Sequence, residues 1–236
     1  MKTASSTLRQ FTLALATSGA VLASLAAPSP LAAQNPSAGQ MAEAYGQNAQ
    51  ANAKLMHQYT WQMRVSLTYK GNAEAPQLYQ MNWAPDGSLQ KTLISAPPEE
   101  KKERGVRKHV EESDIANLKA YIDSLVELTK KYATPSPGTM MNFYSAAVMT
   151  PAPGGGVAAT ESGFLQPGDK VTFTLDQTTH QAKSFTFAST LQGDAVSGTV
   201  IYGSVSGGPN YASQTSVSVP NKQIALVVEN FNYVKQ

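Results

Sequence analysis

The sequence predicts an α+β fold: an open, unclosed antiparallel β-barrel or strongly curved sheet, with two or three helices covering its concave face. Three observations predict it. Tyr59–Tyr69 alternates apolar and polar side chains without a break. From Val157 onward, further short runs rich in β-branched and aromatic residues follow one another, divided by Gly, Pro, Asn and Asp turns. Between the two series lies one stretch with an apolar residue every three or four positions. A period of two marks a strand with one buried face, and a period near 3.6 marks a helix.

The start of the chain reads as an address. Lys2 and Arg9 flank a short polar segment, Phe11–Ala27 carries no charge, and Ala26, Ala32 and Ala33 offer small-residue cleavage edges. This three-part layout predicts a signal peptide over residues 1–33. The apolar run is about 17 residues and is interrupted by Thr12, Thr17 and Ser18, whereas a spanning helix takes about 20. No twin-Arg pair precedes it, which points to general export. The chain has 236 residues and 0 Cys, so no lipid-bearing Cys, disulfide framework or thiolate zinc site is expected.

Lys and Arg total 18 and Asp and Glu 16 over the whole chain. The signal carries off Lys2 and Arg9 and no acid, so the remainder is formally neutral. Nucleic-acid binding calls for a basic face, and this balance does not supply one. The expected product is soluble after signal removal, with no transmembrane segment, and periplasmic or secreted.

Residues 34–40 read as a flexible N-terminus, and 41–236 as one domain. Met41–Met56 reads as a helix, with Met41, Tyr45, Asn48, Asn52 and Leu55 on one side. Tyr59–Tyr69 is the clearest strand. Gln77–Trp83 places Tyr79, Met81 and Trp83 on one face, and Ser88–Ser95 returns after the turn Pro85-Asp86-Gly87. A charged loop over 99–112 follows. Ser113 then serves as N-cap for an amphipathic helix over 114–132, built on Ile115, Leu118, Ile122, Leu125 and Val126. Pro135 and Pro137 end it, and Gly138–Ala147 reads as a short helix. Pro151–Gly156 is a loop. Six strands complete the chain: Val157–Leu165, Val171–Leu175, Ala182–Leu191, Ala195–Val205, Tyr211–Val219 and Gln223–Val234.

No residue pattern signals catalysis. The imidazoles available are His57, His109 and His180, dispersed and none beside a Gly-x-Ser-x-Gly elbow. Glu99/Glu100 and Glu111/Glu112 are carboxylate pairs, but Lys and Arg interleave with them, as in a solvated charged loop. Gly154-Gly155-Gly156 precedes a strand, so it cannot set a phosphate on a helix N-terminus. The expectation is therefore no catalytic residue, no metal and no cofactor.

Two surfaces remain. The first is the charged loop, whose Lys101, Lys102, Arg104, Arg107 and Lys108 read either as solvated side chains or as a docking surface for an acidic partner. The second is apolar: Trp61, Met63, Val65 and Leu67 share a face, and Tyr79, Met81 and Trp83 share its neighbour. Helices can bury such faces completely, or a curved sheet can leave them lining a ligand cavity.

Taken in order, a signal peptide, a short helix, a meander interrupted by helices and a closing meander resemble the periplasmic lipoprotein-carrier (LolA/LolB-like) superfamily. The resemblance spans roughly Met41–Lys235 and rests on element order and on the Tyr59–Tyr69 strand. It implies an unclosed barrel capped by helices around a hydrophobic cavity for acyl chains. Trp61, Met63, Val65 and Trp83 then line that cavity, and the ligand is a lipid or another hydrophobic molecule. An envelope lipoprotein or a membrane-associated protein is the implied partner. The other reading is an envelope interaction or scaffold protein with no cavity, docking through 99–112 or a sheet edge.

Overall fold

The computed structural model describes residues 38–95, 107–133, 135–153, 156–176 and 182–236. The expected signal peptide, Lys101, Lys102, Arg104 and His180 lie outside the described residues. Among the described residues there are three α-helices: α1 (Ala38–Met56), α2 (Arg107–Ala133) and α3 (Pro137–Ala146). The strands are β1 (Tyr59–Tyr69), β2 (Asn72–Ala73), β3 (Gln77–Trp83), β4 (Leu89–Ser95), β5 (Val148–Ala152) and β6 (Gly156–Ser162). They continue with β7 (Lys170–Asp176), β8 (Ala182–Leu191), β9 (Asp194–Ser204), β10 (Asn210–Val219) and β11 (Ile224–Lys235).

All these strands join one antiparallel sheet in the order β4-β3-β1-β11-β10-β9-β8-β7-β6-β5, with β2 paired to β1. The sheet does not close, so β4 and β5 are its two edges. The expected open sheet with helices is what forms.

Several boundaries differ from the sequence reading, each for a local reason. Helix α1 starts at Ala38, inside the segment expected to be flexible. Helix α2 starts at Arg107, so Arg107, Lys108, His109, Glu111 and Glu112 are helical rather than part of a loop, and Ser113 lies inside the helix rather than at its cap. The apolar period begins only at Ile115, but no Pro or Gly interrupts 106–133 and the added residues are mostly good helix formers. Pro137 begins α3 rather than ending α2. It occupies the first turn, where a missing N–H is harmless, and the Ser136 hydroxyl accepts from Thr139 N–H as N-cap. Strand β5 covers part of the expected Pro/Gly loop. Pro151 is tolerated there because β5 is an edge.

The core lies between the inner sheet face and the helices. Alternate residues of β1 (Trp61, Met63, Val65, Leu67), β11 (Ile224, Leu226, Val228) and β8 (Phe185, Phe187) are buried. From α2 and α3 they receive Leu125, Tyr132, Met140 and Phe143, all at 0% exposure. The Tyr132 ring stacks on Phe187 at 4.5 Å, and Phe143 meets Phe164 and Phe173 edge-on at 5.7 and 5.2 Å. Burying each such side chain is worth about 1.5–3 kcal/mol, so this aromatic group fixes α2 and α3 on the sheet.

Candidate functional site

The start of β1 and the last turn of α1 meet in a row of rings. The Trp61 indole is 2% exposed and donates to Asn230 Oδ1 at 3.1 Å. It stacks on Tyr233 at 5.5 Å, and Tyr211 lies 4.1 Å beyond. On the other side Trp83 sits 6.0 Å away, tilted, and stacks on exposed His57 at 3.9 Å. The Trp83 indole donates to the Met56 carbonyl at 2.8 Å, satisfying one orphan acceptor at the end of α1. Trp61 and Trp83 are thus brought together. Met63 and Val65 follow Trp61 down the same buried face of β1.

Strands β3 and β4 carry that face outward. Their register places Trp83 opposite Leu89, Met81 opposite Lys91 and Tyr79 opposite Leu93. Cross-strand partners share a face, so Lys91 and Leu93 extend the rows begun by Trp61 and Met63, and Leu89 sits beside Trp83 on that face. Burial falls off along the way. Met63 and Tyr79 are buried, whereas Leu93 at the edge is 43% exposed. The Lys91 ammonium lies 4.0 Å from the centre of the Tyr79 ring, a cation–π contact. Burial, which desolvates the ammonium, pushes the Lys91 pKa down to about 8. Sequence reasoning passed over Leu89, Lys91 and Leu93. Their signal was present as the alternation Leu-x-Lys-x-Leu, with one cation in an otherwise apolar row.

A second polar centre is structural. Asp169 is 1% exposed and accepts from the backbone N–H of Phe164 at 2.6 Å, of Leu165 at 2.8 Å and of Gln166 at 3.1 Å. The Tyr132 hydroxyl bonds both Asp169 at 2.7 Å and Ser189 at 2.8 Å. This network pins the β6–β7 turn under the end of α2. Burial and the hydrogen bond and charge of Asp169 raise the Tyr132 pKa, against a lowering effect from Ser189. Glu161 on neighbouring β6 is raised too, first by burial and then by the Asp169 charge.

A groove of about 600 Å³ runs along α2 beside Leu191. Lys119, Asp123, Glu127 and Lys131 line it at helical spacing, two carboxylates between two lysines, beside Val126 and Leu128. Arg107 and Lys108 sit on the first turn of α2.

Fold and site together define an unclosed antiparallel sheet protein whose apolar inner face is helix-covered at its centre and accessible at its β4 wing. No family model matches the sequence, and no curated protein does. Among solved structures, the chain is similar to LolA superfamily protein NE2245 from Nitrosomonas europaea, at 11% identity and TM-score 0.34, covering 80% of this chain and 94% of that one. It is similar at 9% identity and TM-score 0.40 to a Vibrio parahaemolyticus domain classed with outer membrane lipoprotein sorting, covering 80% and 91%. A DUF1329 family protein from Desulfovibrio piger follows at 8% identity and TM-score 0.36, covering 79% and 92%.

Proposed function

We propose that this chain is an exported, periplasmic binding or carrier protein for a lipid or another hydrophobic ligand. One observation carries the reading: the inner apolar face continues past the helices to an edge strand, where Leu93 is 43% exposed. A ligand chain first meets Leu89, Leu93 and Trp83 at that wing. Trp61, Met63 and Val65 lie deeper and are reached only if the covering helices move. No helix among the described residues is long and apolar enough to cross a membrane.

Native mass spectrometry of protein drawn from the periplasm tests the reading, together with binding of a neutral twelve-carbon alcohol to delipidated protein. Copurified lipid, or saturable quenching of Trp fluorescence, supports it. Absence of both rejects it.

A second reading is an envelope interaction protein docking through residues 99–112 or a sheet edge. The closely packed centre, with Leu125, Tyr132, Met140 and Phe143 at 0% exposure, favours it. Deleting 99–106 while keeping α2 intact separates the two. Loss of a crosslinked partner, with no ligand bound by the parent protein, supports docking.

A further inference from the structure

The chain has 0 Cys, so methionine thioethers are its only sulfur. Among the described residues their exposures fall into two separate groups. Met56, Met63, Met81 and Met140 are 4%, 1%, 1% and 0% exposed. Met141 and Met149 are 46% and 45% exposed. Met140 and Met141 are neighbours on α3, about 100° apart around the helix, so one enters the core and the other faces water. Met149 stands opposite Ala159 on β5, an edge of the sheet. Only Ala147 separates α3 from β5, so the two exposed thioethers flank one short junction.

A thioether takes one oxygen atom from hydrogen peroxide. The O–O bond breaks, an S–O bond forms, sulfur loses two electrons, and the second oxygen leaves as water. No proton has to leave the sulfur first, so access of the oxidant decides which methionine reacts. The product is a polar sulfoxide. At Met63, Met81 or Met140 it would stand among apolar side chains, which burial penalises. At Met141 and Met149 water solvates it.

We infer that Met141 and Met149 form a reversible oxidation site, which takes oxygen from peroxide-class oxidants while the core methionines stay reduced. Reversal needs a dithiol reductase from outside the chain, which itself holds no thiol. The reductase thiols close to a disulfide, and the sulfoxide oxygen leaves as water with their two protons. The exposure that admits the oxidant also admits this enzyme. Oxidation turns the β5 rim from apolar to polar and leaves the packing of α3 on the sheet intact.

The test adds hydrogen peroxide to the folded full-length protein and follows each methionine by peptide mapping. Met141 and Met149 are expected to gain oxygen at least about tenfold faster than Met56, Met63, Met81 and Met140, the least gap between their exposures. The melting midpoint is expected to stay unchanged once those two have reacted. Methionine sulfoxide reductases for both sulfoxide epimers, with a dithiol, should then remove both oxygens. The double variant Met141→Leu, Met149→Leu should keep the parent midpoint and lose both fast events, with the core methionines no faster than before. Met140 reacting as fast as Met141 overturns the inference. So does a midpoint lowered by the fast events, or a sulfoxide at either site that the reductases leave in place.

Discussion

Asn52 binds the backbone of Asn210 twice: its Nδ2 donates to the Asn210 carbonyl at 2.9 Å, and its Oδ1 accepts from the Asn210 N–H at 2.9 Å. The side-chain amide imitates a neighbouring strand and satisfies both backbone groups at the start of β10. Asn52 is 4% exposed, so water does not readily replace it. Asn52→Ala leaves a buried donor and acceptor unpaired and is expected to cost about 1–3 kcal/mol. A urea melt reads it as a lower midpoint at unchanged slope. An unaltered midpoint would mean that α1 is not tied to the sheet through this pair.

Gly198 is held small by its cross-strand partner. A Cβ added there would lie 2.1 Å from Phe187 Cε1, because the Phe187 ring lies across the Gly198 backbone. The same ring stacks on Tyr132 of α2. Gly198→Ala is expected to destabilise by about 1–3 kcal/mol through overpacking. For a domain of this size, each kcal/mol lowers the melting midpoint by roughly 2–4 °C, which calorimetry resolves. In the double variant with Phe187→Leu the Gly198→Ala penalty should shrink.

Two buried tyrosines set an alkaline limit. Burial, then the hydrogen bond and charge of Asp194, push Tyr121 from 10.0 up to about 12. The unfolded tyrosine ionises first as pH rises, while the folded one stays neutral. The stability this contributes is full below pH 10 and is lost as pH climbs from there to about 12. Tyr132 moves the same way. Urea midpoints between pH 8 and 12 should fall less steeply in Tyr121→Phe than in the parent. Parallel slopes would refute the assignment.

Glu161 shifts in the same direction, within the carboxylate range. Its Oε2 is buried without a hydrogen-bond partner, and its pKa is raised by burial and by Asp169. A raised folded pKa means stability present at acidic pH and lost as pH rises through that pKa. Glu161→Gln should therefore raise the melting midpoint at pH 7, with a smaller gain at pH 4. A lower midpoint at pH 7 would show that the carboxylate is favourably held.

Much of this was legible in local pattern. Strands β1, β3 and β8 form over the residues that their alternation predicts, because one face of each is buried and the other is not. Alternation also placed Trp61, Met63 and Val65 on one face. What covers that face depends on α2 and α3, which no periodicity within β1 reports. Strand β5 escaped because Val148 and Met149 are both exposed, so no period of two develops. The Asn52–Asn210 pair joins positions 158 apart, and Tyr132 meets Asp169 across 37 residues. Such polar pairings arise from topology and leave no trace in spacing. Lys91 needed the cross-strand register before its row could be recognised.

Strand β11 pairs with β1 from Tyr59↔Lys235 to Tyr69↔Ile224, in the middle of the sheet order. The last strand made is thus the keystone of the sheet. Until Ile224–Lys235 emerges, the chain holds a small β1–β4 meander and a separate β5–β10 meander with no seam between them. Closing that seam spans more than a hundred residues of chain and is a slow step for any polypeptide. Removing the final strand would leave two half-sheets, each presenting a bare hydrophobic flank to other copies of itself.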